Sequence, residues 1–346
     1  MLGDDPSAGA CTEREIVDAV DLCTPDGRLD RAAVGWSRRP LHRCRLPGSW
    51  GRRKRWDFWG ITGPDFALSL TYAHLDYLGI VDVWFRDLAT GRSFTRTTPV
   101  PLARGMSMPD RVGEKPIDFR GRGLELSFVE QPGGTRLRAA TRARDFESEI
   151  FVERPAGHES LGVVIPWSDS RFQYTTKDVA RPASGTVRVG DASYTLAPNG
   201  SSWACLDFGR GKWPYRSTWN WGAAAGFAGG TRVGLQLGGK WTVGTGMTEN
   251  ALSIDGRLSK LSEELVWSYD PQHWLRPWRI RTPRSERVDL VFTPVFDKVS
   301  RLGAGVIAQS IDQCFGTYSG TIVPDDRKPL TIDGLVGWAE EATWRW

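Results

Sequence analysis

The residues of this chain best suited to acid–base chemistry are carboxyl groups that stand among aromatic side chains. Asp207 lies in the segment WACLDFGRGKWPY, close to four aromatic residues, which are Trp203, Phe208, Trp213 and Tyr215. Rings that shield a carboxyl group from water raise its pKa, so the group keeps its proton near neutral pH. Such a group can act as a general acid. A turn, or an ion pair with Arg210 or Lys212, is the structural alternative for Asp207.

A second carboxyl group, Glu249, precedes Asn250 in the segment WTVGTGMTEN. Glu249 is a candidate second acid or base and Asn250 a candidate for holding a water molecule, although loop capping explains both residues equally well. Glycoside chemistry would require two carboxyl groups about 5–10 Å apart across a pocket. The pairs that this chemistry predicts are Asp207 with Glu249, or Asp207 with Asp76.

His74 and Asp76 form an HxD pair on one face of a predicted strand. They could supply two metal ligands, but no third is evident, so a structural or polar-pocket role is favoured. We predict no metal and no cofactor. The chain also has no GxSxG elbow and no nucleophilic cysteine signature, which argues against a covalent hydrolase.

The segment GKWPYRSTWNWGAAAG (Gly211–Gly226) alternates between aromatic and polar residues, the pattern of a strand with two different faces. The aromatic face carries Trp213, Tyr215, Ser217, Trp219 and Trp221. The polar face carries Lys212, Arg216, Thr218, Asn220 and Gly222. The alternation leaves open which of these faces lines a cavity.

The sequence predicts that the elements that position these residues are almost entirely β-strands. Residues 66–72 alternate with period two, and the segment VWFRDLATGRSF predicts a hairpin that turns at Thr90-Gly91. Arginines in TRLRAATRAR precede glutamates in FESEIFVER, which suits charge pairing across neighbouring strands. Residues 261–267 fit either a helical turn or a strand. Turn signals recur about every 8–12 residues, so we predict an all-β fold of the barrel or sandwich type.

The strands divide into two sets of similar size, with the Pro and Gly residues of 181–185 as the predicted junction. We therefore predict domains at 56–183 and 184–346, each large enough for a small barrel that holds one ligand. Residues 1–55 are irregular and rich in arginine, and we interpret them as an arm that wraps the body. A phosphate-binding arm is the alternative interpretation of this basic cluster.

Composition restricts the class of protein. A net charge of +4 in 346 residues gives little support to nucleic-acid binding. No apolar run approaches the length of a membrane span, and the polar start does not resemble a secretion signal. The five cysteines lack CxxC spacing, so we predict free thiols in the cytoplasm. Eleven of the 17 tryptophans follow residue 200, which predicts an aromatic core or an aromatic-lined pocket there.

Several segments resemble the bacterial family DUF2804 over nearly the whole chain. They are GWSRRPL (35–41), KRWDFWGIT (54–62), GKWPYRSTWNWG (211–222), GGKWTVGTGMTEN (238–250) and PWRI (277–280). The family is distantly similar to tandem lipocalin-like proteins, among them the AttH-like, carotenoid 1,2-hydratase and tocopherol cyclase groups. The resemblance implies two consecutive lipocalin-like (calycin) β-barrel halves packed together, with the N-terminal arm outside them.

The AttH-like proteins carry a Trp-x-Asp segment ending in Trp-Gly, followed by a Trp-rich strand. WACLDFGRGKWPYRSTWNWG is similar in order, although Trp203 precedes Asp207 by four residues instead of two. The resemblance places Asp207 at the acidic position, with Trp219 and Trp221 on the next strand. It implies a hydratase, isomerase or cyclase that acts on an unsaturated isoprenoid, polyene or lipid. In that chemistry a carboxylic acid protonates the substrate and aromatic faces stabilise the cation.

Two classes of function follow from these residues. In an enzyme, Asp207 is the predicted acid and Glu249 the second catalytic residue. The predicted substrate-binding residues are Trp213, Tyr215, Arg216, Trp219, Asn220, Trp221, Lys240, Trp241, Asn250, His74 and Asp76. In a non-catalytic binder, the same aromatic walls hold a small hydrophobic molecule or a glycan. A buried, protonated Asp207 would favour catalysis, and an exposed, ion-paired one would favour binding or structure. Oligomeric state is left open.

Overall fold

The computed structural model describes residues 12–197, 201–325 and 328–346, and the regular structure in these ranges is almost entirely β-strand. The helical element in them is a single 3-10 turn, Arg31–Ala33. The all-β prediction is therefore confirmed. None of these ranges contains a helix long and apolar enough to cross a membrane.

The strands are numbered in chain order. They are β1 (Val20–Asp21), β2 (Trp36–Ser37), β3 (His42–Arg43), β4 (Arg53–Thr62), β5 (Phe66–His74), β6 (Leu78–Asp87), β7 (Ser93–Pro101), β8 (Ile117–Gly121), β9 (Leu124–Gln131), β10 (Gly134–Thr141), β11 (Phe146–Glu153), β12 (Leu161–Ser168), β13 (Arg171–Val189), β14 (Ala192–Leu196), β15 (Trp203–Lys212), β16 (Arg216–Ala228), β17 (Thr231–Gly239), β18 (Asn250–Ile254), β19 (Arg257–Leu261), β20 (Val266–Ser268), β21 (Trp278–Arg281), β22 (Val288–Ala304), β23 (Ile307–Ile322) and β24 (Leu330–Arg345).

The first sheet has 13 strands in the order β7-β6-β5-β4-β15-β13-β11-β10-β9-β8, with β2, β12 and β14 attached to it. The alternation predicted for β5 is confirmed, because Leu68, Leu70 and Tyr72 all lie in the apolar core of its inner face. The predicted hairpin joins β6 to β7 and contains Gly91 at a φ of 78°. Charges pair across β10 and β11 as expected, since Arg136 and Arg138 both contact Glu149 at 2.7 Å.

The second sheet has nine strands in the order β19-β18-β17-β16-β24-β23-β22-β21-β20. Its inner face carries a separate apolar core that includes Leu235, Trp278 and Tyr318. The region that fitted a helical turn or a strand contains the end of β19 and the start of β20. It is therefore strand and loop. The two curled sheets are the paired half-barrels that the lipocalin-like resemblance implied.

The boundary between the two sheets lies later in the chain than the Pro and Gly residues of 181–185 suggested. Those residues lie inside β13. The strand is continuous because its backbone N–H and C=O groups pair with β11, β14 and β15 through this segment. The first sheet extends to Lys212 and the second begins at Arg216. The domain limits 56–183 and 184–346 stay a prediction.

The arm packs on the first sheet, and residues 1–11, including Cys11, lie outside the described ranges. Leu22, Leu29 and Cys44 belong to the core of that sheet. The Lys212 Nζ donates to the carbonyls of Gly27 and Pro47, which ties the arm down. Arginines of the arm pair with carboxylates, as Arg38 does with Glu159 at 3.0 Å. This pairing favours the wrapping-arm interpretation over a phosphate-binding one.

The outer faces of the two sheets pack against each other through a cluster that includes Trp84, Trp221, Phe315 and Trp338. Small residues allow the two sheets to approach each other closely. A Cβ atom on Gly60 would lie 2.6 Å from the Trp338 ring, so the ring occupies the space that a side chain at 60 would need. Asp207 and Glu249, the two predicted catalytic carboxyl groups, lie in this interface between the sheets.

Candidate active site

Asp207 on β15 and Lys177 on β13 are direct cross-strand partners, and Phe58 on β4 opposes Asp207 from the other side. Directly opposed residues of antiparallel strands project from the same face of a sheet. Since Cys205, two residues before Asp207, belongs to the interface cluster, this row projects toward the second sheet. The first sheet therefore presents an ammonium and a carboxylate to the interface.

Lys177 joins two carboxyl groups from different sheets. Its Nζ lies 3.0 Å from Oδ2 of Asp207 and 3.6 Å from Oε2 of Glu249. The Thr175 hydroxyl donates to Oδ1 of Asp207 at 2.9 Å. All three members of the bridge are buried, with exposures of 5% for Lys177, 8% for Asp207 and 1% for Glu249. Asp207 is thus buried and ion-paired, a combination that neither sequence alternative described.

Glu249 stands immediately before β18 and reaches the bridge across Gly238. A Cβ atom on Gly238 would lie 2.2 Å from Cγ of Glu249, so glycine leaves the space that the side chain occupies. The Trp241 indole donates to Oε1 of Glu249 at 2.5 Å. Burial raises the pKa of Glu249 to about 7, with Lys177 and Trp241 opposing the rise and Asp207 adding to it. A carboxyl group of this kind exchanges a proton at neutral pH.

Glu340 on β24 supplies a third carboxyl group, and its cross-strand partner is Trp221. The Trp219 indole donates to Oε1 at 3.0 Å, and the Gln313 amide donates to Oε2 at 2.7 Å. Burial raises the pKa of Glu340 to about 7, and the charges of Lys177 and Asp207 act on it in opposite directions. Two of the three interface carboxyl groups therefore titrate near neutral pH.

Aromatic rings enclose this cluster of Lys177, Asp207, Glu249 and Glu340, which we call the carboxyl cluster. The Lys177 Nζ lies 4.0 Å from the centre of the Trp221 ring. Phe58 and Trp338 meet Trp221 edge to face, at centroid distances of 5.6 and 5.2 Å. The Trp221 indole donates to Gln236 at 3.0 Å, so its orientation is fixed. The ring faces are rigid surfaces beside a proton donor.

Both faces of β16 are buried from Asn220 to Ala225, which answers the question that the alternation left open. Trp219 and Trp221 project into the interface, whereas Asn220 projects to the inner face of the second sheet and donates to the Tyr269 hydroxyl at 3.1 Å. Lys240 donates to the same hydroxyl at 2.8 Å and pairs with Glu341. Asn220 and Lys240 therefore belong to a different group from Trp219 and Trp221.

The remaining predicted binding residues of this region have separate positions. Trp213 stacks parallel to Trp241 at 5.4 Å, beside the carboxyl cluster. Tyr215 is 36% exposed and donates to the carbonyl of Val306, and Arg216 is exposed at the start of β16. Asn250 accepts from the Gly238 amide and donates to the Glu263 carbonyl, which fits the loop-capping alternative.

His74 and Asp76 do not join the carboxyl cluster. His74 shares the parity of Leu70 and Tyr72 on β5, whose side chains lie on the inner face of the first sheet. Asp76 pairs with Arg53 at 2.9 Å, and Arg55 contacts both residues. Burial and the charge of Arg55 lower the pKa of His74 to about 4. The expectation that they face the cavity of Asp207 fails because alternation turns them to the opposite side of the sheet.

Lys177 and Glu340 were missed by sequence reasoning. Lys177 lies in the segment FQYTTKDVA, where a lysine inside a strand resembles an exposed residue. The available signal was that β13 is buried on both faces, so an interior lysine must pair with a carboxylate. Glu340 stands beside Glu341 in WAEEATW, and only strand parity distinguishes the interface residue from its neighbour.

The space beside the carboxyl cluster is filled by side chains. A void of about 10 Å³ lies between the sheets, with Val179, Cys205, Ala223 and Trp338 among its lining residues. This volume is about that of one water molecule. It is far smaller than a pocket for a small molecule, and Lys177 lies against the Trp221 ring, where an aromatic-lined pocket was predicted. A ligand could reach the carboxyl groups only if some of these side chains moved.

Comparisons with known proteins agree with this fold. The model of the family described as "Domain of unknown function (DUF2804)" matches residues 13–346. Kievitone hydratase from Nectria haematococca has a similar structure, with a TM-score of 0.53 and 11% identity, over 83% of this chain and 88% of the hydratase. At this identity the likeness shows the fold alone. No curated protein matches the sequence significantly.

Two further structures are similar at lower scores. The AttH-like protein from Nitrosomonas europaea gives a TM-score of 0.47 and 14% identity over 84% of this chain and 92% of that protein. CghA with Sch210972 gives a TM-score of 0.43 and 10% identity over 85% of this chain and 88% of CghA.

Proposed function

We propose that this chain, which belongs to the DUF2804 family, is an enzyme that protonates an unsaturated hydrophobic small molecule through Glu249. The observation that carries the proposal is a carboxyl group with a pKa raised to about 7, buried between aromatic rings and beside a permanent cation. Asp207, the acid that the sequence favoured, is the group closest to Lys177 and serves as its counter-ion.

Proton transfer from Glu249 to a carbon–carbon double bond would leave a carbocation on the substrate and a carboxylate on the enzyme. Lys177 and the Trp241 indole stabilise that carboxylate, since both already contact it. Aromatic ring faces stabilise the cation, at about 0.5–2 kcal/mol each, and Trp221 can contribute once Lys177 has moved from its ring. Attack by water, with return of its proton to Glu249, completes a hydration. Transfer of a different proton from the substrate cation back to the Glu249 carboxylate completes an isomerisation, or a cyclisation when a second double bond of the substrate has first attacked the cation.

The geometry gives less support to glycoside cleavage by Asp207 and Glu249. Both carboxyl groups bind the same Lys177 Nζ atom, so the lysine occupies the position that a glycosidic bond would need. Asp76, the other predicted partner, lies on the inner face of the first sheet with Arg53.

Incubation with a metabolite extract in H₂¹⁸O and in D₂O tests the proposal by mass spectrometry. Hydration adds ¹⁸O to a product, whereas isomerisation or cyclisation by protonation adds deuterium alone. We expect Glu249→Gln to reduce product formation at least 100-fold, because the amide cannot donate the proton. Glu125→Gln, at an exposed position on β9, is the matched control and should leave the rate unchanged. An unchanged rate in folded Glu249→Gln would overturn the proposal.

A non-catalytic binder is the second candidate, favoured by the ion pair that holds Asp207. The same incubation distinguishes the two, because a binder would retain an extract component without isotopic change. The ligand of such a binder would be a small hydrophobic molecule or a glycan. The free cysteines Cys23, Cys44, Cys205 and Cys314 support a location in the reducing cytoplasm.

A further inference from the structure

Lys54 on β4 is a buried amine outside the carboxyl cluster. Its Nζ donates to the Gly51 carbonyl at 3.0 Å and to the Tyr77 hydroxyl at 3.3 Å. The same atom lies 4.4 Å from the centre of the Tyr77 ring and 5.2 Å from that of Trp346. The side chain is 0% exposed. These two hydrogen bonds use two of the three hydrogens that an ammonium group carries.

Lys54 has no close counter-ion. Across the described ranges, no carboxylate of a side chain forms an ion pair with its Nζ within 4.0 Å. The nearby carboxylate, Asp76, is held by Arg53 at 2.9 Å, and Arg52 adds further positive charge. Burial lowers the pKa of Lys54 to about 8, with Arg52 lowering it and Asp76 raising it. The ammonium form still predominates at neutral pH, and a buried charge without a partner is unfavourable.

Two indole donors also lack acceptors, one in Trp346 beside Lys54 and one in Trp344, which contacts Trp346. Trp346 is 8% exposed and stacks on Trp344 with a centroid distance of 4.3 Å. Among the described residues, neither indole Nε1 has a hydrogen-bond partner. Buried donors of this kind are normally paired. The ammonium and the two indoles thus form a group of donors that lacks a matching acceptor.

The surroundings of these donors are aromatic and reach the surface. Trp346 meets Trp213 at 5.5 Å, and Trp213 meets Trp56 at 5.7 Å. Tyr77 and Trp344 are only half-buried, so the group is not sealed on all sides. Because Lys54 and the two indole Nε1 atoms are buried, the polar end of a flat ligand could reach these donors only after Tyr77 or Trp344 had moved.

We propose that Lys54, Trp344 and Trp346 form a second binding site, which takes the carboxylate of an aromatic acid. A carboxylate supplies the acceptor oxygens and the negative charge that these three donors lack, and an aryl group matches the rings beside them. Lys54 forms the charge-assisted hydrogen bond, which is stronger than a neutral one. The indoles bind the second oxygen. The site involves none of the carboxyl cluster, so it stands whether or not Glu249 is catalytic.

Calorimetric titration with 2-naphthoate tests the proposal. We expect measurable binding at neutral pH, at least tenfold weaker binding in Lys54→Met, and about tenfold weaker binding in Trp346→Phe, which keeps an aromatic ring but loses the N–H. Glu249→Gln should bind as the wild type does, which separates this site from the proposed function. The neutral alcohol 2-naphthylmethanol should bind weakly and with no dependence on Lys54.

The outcomes against the proposal are equally definite. Absence of 2-naphthoate binding to the wild-type protein at millimolar concentration would overturn it, as would wild-type affinity in folded Lys54→Met and Trp346→Phe. If Lys54→Met does not fold, Trp346→Phe and the comparison with the neutral alcohol decide the question. Affinity that falls in Glu249→Gln but not in Trp346→Phe would assign the ligand to the carboxyl cluster instead.

Discussion

Glu249 shows how one residue links the chemistry of the interface to the stability of the fold. Its pKa rises from 4.5 to about 7 when burial removes its carboxyl group from water. Between these pH values the folded protein binds a proton that the unfolded chain has lost. Stability contributed by the protonated form is therefore present below about pH 4.5 and is lost as pH rises through about 7.

We predict that this loss disappears in Glu249→Gln. The free energy of unfolding of the variant minus that of the wild type should grow by about 3 kcal/mol between pH 4.5 and pH 8, which corresponds to the shift in pKa. Glu340 has the same titration in both proteins, so it cancels in the difference. Urea denaturation at several pH values measures this, with Glu125→Gln as the pH-independent control. A difference that stays constant with pH would mean that Glu249 is charged in the folded state.

The sequence identified two of the interface carboxyl groups, Asp207 and Glu249, because each stands among aromatic or small residues along the chain. It favoured Asp207 as the acid, whereas we propose Glu249 for this role. That assignment depends on Lys177, which reaches both groups from β13 and lies closer to Asp207. Contacts between residues distant in sequence determine the electrostatics here, and local composition does not record them.

Strand β15 shows how an element makes room for the aromatic cluster. Its outer face ends in Gly209 and Gly211, over which the side chains of Trp56 and Gln173 lie. A Cβ atom on Gly209 would lie 2.1 Å from Cε2 of Trp56. Glycine is otherwise unfavourable within a strand, so its presence here reflects this close approach.

We predict that Gly209→Ala destabilises the protein by about 1–3 kcal/mol, since the added methyl group displaces the Trp56 ring. Gly303→Ala on β22 is the matched control. No atom lies within 4 Å of its added Cβ, and the substitution should be neutral or slightly stabilising. Chemical denaturation of both variants checks the prediction. Equal stabilities would show that Trp56 adapts freely, and that β15 does not require glycine for packing.

At the element scale, alternation along a strand predicted that the strand has two different faces. It did not predict which part of the fold each face contacts. The parity of residues 216–222 was correct, but residues 212–222 are not one strand, because Lys212 ends β15 and residues 213–215 connect it to β16. Both faces are buried from Asn220 to Ala225, one in the interface and one inside the second sheet. The part of the fold that each face contacts depends on which strands pair with β16, namely β17 and β24. The same reason explains why His74 and Asp76 were grouped with Asp207. Parity within β5 is local, whereas the pairing of β5 with β4 and of β4 with β15, which puts His74 and Asp207 on opposite faces of one sheet, is not.

At the scale of the whole molecule, the two sheets hold the carboxyl cluster between two groups of aromatic contacts. On one side, Trp84 of β6 stacks on Phe315 of β23 at 5.0 Å. On the other, the Trp167 indole of β12 donates to the Trp241 carbonyl at 2.8 Å. Separation of the sheets would expose both groups and would hydrate the buried carboxyls. The sequence predicted two half-barrels, but it could not predict this interface, because no short segment contains both of its sides.

We therefore predict that the sheets unfold together in one transition. Far-UV circular dichroism and tryptophan fluorescence should give coincident urea curves, as expected for a single cooperative unit. Phe315→Ala should lower the stability of that one transition by about 3–5 kcal/mol, because the truncated ring leaves a cavity in the interface. Phe227→Ala, at a side chain that is 52% exposed, should have a much smaller effect. Two separate transitions, with only the later one sensitive to Phe315→Ala, would show that the first sheet unfolds independently and that the interface does not couple the two halves.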